Sequence, residues 1–135
     1  MSNALYDKGR ESFLKGEISW SSDNIKVLLV DTGAYTVNLS THQFHSDVAG
    51  ASIIATSGNL AGKTTTAGVA DANDLTITGV TGTSIEACIF YQDTGTSGTS
   101  RLIAYIDTAT GLAFTPSGGD TILVFDNGAN KIFKL

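Results

Sequence analysis

The clearest hydrophobic pattern in the chain lies between residues 85 and 106. Residues 85–91 and 102–106 are apolar segments whose hydrophobic side chains occupy both alternating faces, and the stretch between them, 93–99, is polar and contains two glycines. A period of two with apolar residues on both faces is typical of strands that are buried on both sides of a sheet. The pattern therefore predicts a central pair of strands around which the rest of the chain packs.

Shorter apolar or alternating segments, separated by Gly, Asn, Asp and Pro, predict the other strands. These segments are residues 24–31, 52–56, 63–67, 75–78, 112–114, 121–126 and 132–135. Residues 107–111 have the length of a bulged hairpin loop, and Asn127-Gly128 predicts a tight hairpin turn that pairs residues 132–135 with the preceding strand. About eight short strands at this spacing predict an all-β fold, a β-sandwich or jelly roll with an N-terminal α-helix.

The helix is predicted over residues 4–15, with Asn3 as its N-cap and Gly16 at the position that ends it. Gly9 in its middle lowers helix stability by about 1 kcal/mol relative to Ala, and we expect it to permit close packing against a neighbour. That neighbour is either the chain's own sheet or another subunit. We predict a single domain, residues 1–135, in which residues 1–16 form a helical appendage and residues 17–135 the β-sandwich.

Composition and charge narrow the possible partners. Only 16% of residues are charged, and the polar surface is expected to come from 18 Thr, 13 Ser and 15 Gly. Residues 31–126 contain two basic and nine acidic residues, so direct nucleic-acid binding, which needs clustered Lys and Arg, is not expected. The lone Cys88 is predicted to be a buried, inert thiol. No apolar run is long enough to span a membrane, and the N-terminus lacks a signal-peptide core.

Three motifs suggest a phosphate-binding or metal-binding site. For each of them we favour a purely structural role, as part of a turn or loop. Gly62-Lys63-Thr64 lacks the spacing and the following helix of a phosphate-binding loop. His42, His45 and Asp47 could offer metal ligands, but zinc needs a third or fourth nitrogen or sulfur ligand with support around it. Residues 71–74 begin like a calcium loop but lack its later glycine and glutamate. We therefore predict no catalytic residue, no metal site and no cofactor, and a protein that is not an enzyme.

Five stretches of the sequence form a further pattern: residues 3–16 (NALYDKGRESFLKG), 25–31 (IKVLLVD), 35–36 (YT), 41–47 (THQFHSD) and 126–135 (DNGANKIFKL). Together they resemble a family of small virion proteins of tailed bacteriophages. Within that setting the chain is most similar to a capsid cement, or decoration, protein. The resemblance implies a small, β-rich homo-oligomer present in many copies, which binds and stabilises the shell of the major capsid protein on the outer surface of the virion. Such a protein is made in the cytoplasm of the bacterial host.

The N-terminal helix and the C-terminal strand are expected to make the contacts between subunits. A terminal strand offers an unpaired edge, and an amphipathic helix offers an apolar stripe. The interface residues predicted on this basis are Leu5, Tyr6, Arg10, Phe13, Leu14, Ile132, Phe133 and Leu135. Two alternatives stay open: a tail, baseplate or fibre component, and a host-surface or carbohydrate-binding module that uses Trp20, Tyr35 or Tyr91 as an exposed stacking platform.

Overall fold

The computed structural model describes residues 4–108, 112–125 and 132–134. Within them the chain forms one α-helix and nine short strands, and every strand pairing is antiparallel. The elements are β1 (Ala4–Leu5), α1 (Asp7–Leu14), β2 (Ile25–Val30), β3 (Ile53–Thr56), β4 (Val69–Ala70), β5 (Leu75–Ile77), β6 (Ala87–Gln92), β7 (Leu102–Ile106), β8 (Thr121–Leu123) and β9 (Phe133–Lys134). The prediction of an all-β fold with an N-terminal helix is confirmed.

A five-stranded sheet with strand order β1-β7-β6-β2-β3 forms the centre of the molecule. Strand β6 pairs along its whole length with β2 and also pairs with β7, and all six of its residues are buried. The predicted central pair is therefore confirmed. Its first strand begins two residues later than expected because Ile85 forms a single bridge with Phe114 instead.

Both faces of this sheet are covered by other parts of the chain. Val27 and Leu29 belong to one core cluster, which also contains residues of two small ribbons, the pairs β4–β9 and β5–β8. Leu28 belongs to a second cluster on the opposite face. This cluster also contains residues of the 31–50 segment, such as Tyr35. Two-sided burial explains why apolar residues occupy both alternating positions of the central strands.

The N-terminal segment is part of the sheet. Ala4 and Leu5 form β1, so α1 begins at Asp7 rather than at residue 4, while the predicted N-cap Asn3 lies outside the described residues. A Cβ atom on Gly9 would lie 2.8 Å from the Leu102 carbonyl oxygen, closer than side chains normally approach backbone. The helix therefore packs directly on the edge of β7 in its own chain. Gly16, with φ +74°, ends it as predicted.

Strand pairings in the second half of the chain differ from the prediction. Residues 112–114 do not form a hairpin with β7, because β7 already has β6 on one edge and β1 on the other. β9 pairs with β4 rather than with β8, which places the Phe133 ring against Trp20 and Phe13. The predicted turn at 127–128 lies outside the described residues.

The prediction of a strand at residues 63–67 is also wrong. Thr64 makes one isolated bridge, to Asp71, and residues Thr66–Gly68 form a single 3-10 turn in which Ala67 has φ 57°. A left-handed residue interrupts extended backbone, so the strand begins only at Val69.

Candidate functional site

The loop that carries both histidines is held by its own hydrogen bonds. The Asp47 carboxylate accepts the backbone N–H groups of Gln43 (2.8 Å) and Phe44 (2.9 Å). Burial acts to raise the pKa of Asp47, but these two donors together with His42 hold it below its ordinary value. The His45 ring stacks edge-on against Tyr91 at 5.0 Å, and burial lowers the pKa of His45. The three polar side chains thus serve the loop and do not converge on a common point.

A chain of hydrogen bonds links this loop to the helix. The Tyr6 hydroxyl lies 3.0 Å from the Tyr35 hydroxyl, which lies 2.7 Å from Nδ1 of His42. Burial raises the pKa of both tyrosines, so both phenols stay protonated at neutral pH. The chain of bonds joins the start of α1 to the 31–48 segment and has a structural role.

The remaining motif residues also take structural positions. Gly62 adopts φ +64° in a turn, and the Lys63 ammonium donates to the Asp23 carbonyl. Burial raises the pKa of the Cys88 thiol to about 12, which matches the predicted inert thiol. Asp74, at the end of the predicted turn 71–74, accepts the backbone N–H of Phe125 at 3.0 Å. A turn, a backbone hydrogen bond or burial thus accounts for each of these groups.

One open cavity of about 380 Å³ has acidic walls. It is lined by Thr32, Glu86, Tyr105, Asp107 and Ala113. Oε1 of Glu86 accepts both the backbone N–H (2.9 Å) and the hydroxyl (3.1 Å) of Thr32, so the fold uses this carboxylate to fix the turn after β2. In the part of the chain that the structure describes, no three or more His, Cys, Asp or Glu residues are grouped to hold a metal ion.

The N-terminal and C-terminal segments meet at a groove of about 270 Å³, which we call the terminal groove. It is lined by Ala4, Leu5, Arg10, Ala104, Ile106, Ile132, Phe133 and Lys134. The Arg10 guanidinium donates to the Leu5 carbonyl (3.4 Å) and pairs with Asp7 (3.1 Å), which holds its side chain across one wall. The groove therefore has an apolar floor and basic side chains, from Arg10 and Lys134, at its rim.

Four of the eight predicted interface residues line this groove: Leu5, Arg10, Ile132 and Phe133. Leu5 and Tyr6 are buried, and Tyr6 has no exposed surface. Phe13, Ile132 and Phe133 are half-buried, with the Phe13 and Phe133 rings 6.1 Å apart. Arg10 is exposed, and Leu14, one turn further along α1, is 89% exposed. Leu135 lies outside the described residues.

A second exposed surface was not predicted from the sequence. The β5–β8 ribbon pairs Thr76 with Ile122, so the same alternation places Asp74 opposite Val124 and Thr78 opposite Asp120. All six residues are exposed, with Ile122 at 64% and Val124 at 72%. We call this surface the ribbon face. Residues 121–125 are apolar at four of five positions, so the sequence does not show which side faces water.

All eleven aromatic residues fall within the described part of the chain, and each is buried or half-buried. Trp20, Tyr35 and Tyr91 are 5%, 4% and 4% exposed. A carbohydrate platform requires an exposed ring on which a sugar can stack. The basis for the carbohydrate-binding alternative is therefore lost for these three residues.

No protein-family profile and no curated protein matches this sequence. Among the described residues, no helix is both long and apolar enough to cross a bilayer. Function is therefore argued from the surfaces described above.

Proposed function

We propose that this chain is a structural protein of the virion of a tailed bacteriophage, and specifically a capsid cement protein that binds and stabilises the shell of the major capsid protein. The proposal rests on the resemblance of residues 3–16, 25–31, 41–47 and 126–135 to small virion proteins. It is supported by two surface features that suit contacts with other proteins, the terminal groove and the ribbon face. In this role the chain acts through shape and repeated contacts, without a reacting group.

The observation that carries the proposal is the terminal groove. Two segments from opposite ends of the sequence, each expected to contact other subunits, lie side by side and form one surface. Its apolar floor with a basic rim is the arrangement found in many protein interfaces, where a buried apolar centre is surrounded by polar groups. We assign the groove to contacts with a neighbouring copy.

Leu14 is the side chain that we assign to the shell. It is the most exposed large hydrophobic residue among those described, at 89%, and it lies outside the groove. A single leucine contributes little free energy alone, but a protein that binds at many equivalent positions adds such contacts through multivalency.

For the fold we propose, at the finer level, a β-sandwich. The β4–β9 and β5–β8 ribbons would form its second layer, because Ala70 of β4 and Ile77 of β5 belong to the same core cluster as Val27 and Ile103 of the central sheet. Two packed layers around one core would give the rigid body that a protein bridging shell subunits needs.

The first experiment measures copy number and shell stability. Quantitative mass spectrometry of purified virions should give a number of copies of the same order as the major capsid protein, and particles that lack the chain should release their DNA at a lower temperature. A handful of copies per virion would instead indicate a tail, baseplate or fibre component and would end the cement proposal.

The second experiment tests Leu14. The Leu14→Ser variant should bind particles that lack the chain roughly tenfold more weakly than the wild type, because one exposed leucine no longer transfers into the contact. Ala51→Ser, which changes an exposed apolar residue of the Gly50–Ser52 3-10 turn, is the matched control and should bind normally. Equal binding by the wild type and Leu14→Ser would remove Leu14 from the shell contact.

A further inference from the structure

The ribbon face exposes two large aliphatic side chains that the packing of the fold does not require. The other face of the ribbon supplies Leu75 and Leu123 to the core, whereas Ile122 and Val124 point outward. Two large aliphatic side chains side by side on a strand surface form a small apolar patch, which another protein surface can cover. Here the surrounding groups are two carboxylates, Asp74 and Asp120, at diagonal corners.

The terminal groove carries side chains of the opposite charge. Its floor is apolar, and its rim carries Lys134 and Arg10, of which Arg10 is also paired with Asp7. Its volume of about 270 Å³ is what roughly nine water molecules occupy in the liquid. That space suits the Ile122 and Val124 side chains, which together have seven non-hydrogen atoms. One chain thus carries both surfaces. The Ile122 and Val124 side chains of the ribbon face, which we call the ridge, are flanked by acidic groups, and the terminal groove is flanked by basic groups.

We propose that the ribbon face of one copy docks in the terminal groove of a second copy, with Ile122 and Val124 against the groove floor and the two aspartates facing its basic rim. This inference rests on the proposed function for its biological setting, but its chemistry needs only two copies of the chain. A ridge that meets a different surface is a heterologous contact, which generates a ring when the rotation closes and an open chain when it does not.

Charge decides against the symmetric alternative. If two ribbon faces met each other, Ile122 and Val124 would still be covered, but Asp74 and Asp120 of both copies would be brought together. Four carboxylates at one small interface repel one another, and like charges opposite each other across strands are unfavourable. Only the heterologous arrangement places opposite charges together.

The test begins with sedimentation velocity of the full chain over a wide concentration range. The wild type should associate, and the Ile122→Ser/Val124→Ser double variant should have a dissociation constant about a hundredfold higher, because two aliphatic side chains no longer transfer from water. Both positions are exposed, so far-ultraviolet circular dichroism and the melting temperature should stay unchanged. Ala61→Ser is the control: it changes an exposed apolar residue of a loop outside the ribbon face and the terminal groove, and it should associate as the wild type does.

A mixing experiment separates the two kinds of interface. Lys134→Glu reverses the charge of the groove rim and keeps the ridge, whereas Ile122→Ser/Val124→Ser keeps the groove and loses the ridge. Each variant alone should be monomeric at concentrations where the wild type associates, and a mixture of the two should form a one-to-one heterodimer. If the mixture stays monomeric while the wild type associates, the ridge-in-groove contact is refuted.

The remaining outcomes are equally decisive. A wild type that is monomeric at every concentration, or a double variant that associates normally, overturns the inference. If the double variant instead loses binding to virion shells while self-association is unchanged, the ribbon face contacts the shell and the second-copy proposal fails. None of these results affects copy number in the virion, so the cement proposal is judged separately.

Discussion

Gly9 offers the sharpest test of how the helix is attached to the sheet. In an exposed helix, Gly→Ala raises stability by about 1 kcal/mol. Here the new methyl group would lie 2.8 Å from the Leu102 oxygen, 3.0 Å from the Ile103 oxygen and 3.2 Å from the Ile103 Cα atom. All three are backbone atoms of a central strand, so α1 must move away from β7 to make room. We therefore expect Gly9→Ala to destabilise the protein.

The magnitude follows from two opposing effects. Forcing one extra carbon into a packed contact costs about 1–3 kcal/mol, and the better helix propensity of Ala returns about 1 kcal/mol. Because the obstructing atoms belong to backbone that cannot rotate aside, the cost lies in the upper part of that range. The net loss is expected to be about 1–2 kcal/mol, which for a domain of this size lowers the melting temperature by roughly 4–8 °C.

Thermal and urea denaturation followed by circular dichroism measure this change. Gly58→Ala is the matched control, because no atom lies within 4 Å of its added methyl group, and it should leave stability unchanged or slightly increased. If Gly9→Ala is as stable as the wild type or more so, α1 does not lie against the β7 backbone and the packing argument is wrong.

Three further predictions concern other groups. Gly16→Ala should lower the free energy of unfolding by about 1 kcal/mol, because φ is +74° there, whereas Gly16→Asn should lose less. The Cys88 thiol should react with maleimide at pH 8 far more slowly in the folded protein than in urea, and equal rates would contradict its burial. Burial raises the pKa of Tyr91 and of Tyr105 to about 12, above the unfolded value near 10. The stability that these tyrosines contribute is therefore complete below about pH 10 and is lost as the pH rises toward 12, which urea denaturation over that range would show.

The sequence predicts the centre of the fold because its signal is local. Residues 85–91 and 102–106 are apolar at almost every position, and each segment forms a strand that is buried on both faces, so no distant contact is needed to recognise them. The helix end at Gly16 is equally local, because it depends on the backbone conformation of one residue. Burial on both faces and a left-handed backbone conformation can therefore be recognised from the residue types alone.

Strand partners could not be predicted, because pairing depends on which edges remain open. Asn127-Gly128 favours a local hairpin, yet β9 pairs with β4, where the Phe133 ring contacts Trp20. The start of the helix was misplaced for the same reason: Ala4 suits a helix, but the open edge of β7 draws it into a strand. The choice between the two is made by residues about a hundred positions away.

In the candidate site, too, some features could be predicted from local sequence and others depend on tertiary contacts. The two segments predicted to make contacts do form one surface, but their exposures depend on tertiary packing, and Tyr6 proves to be fully buried. The ribbon face was missed because residues 121–125 carry almost no alternation. Only the pairing of β8 with β5 shows that Ile122 and Val124 face outward.

The pairing of β1 with β7 has a consequence for biosynthesis. Ala4 lies opposite Tyr105, so the first strand waits for its partner until about a hundred further residues have left the ribosome. Until then the Ala4–Leu5 segment has no strand to pair with, and such distant pairings also form slowly. A chain under synthesis therefore holds its first strand and helix without their partner for most of that time. Chaperone overproduction should raise the soluble yield of the protein by protecting these incomplete chains.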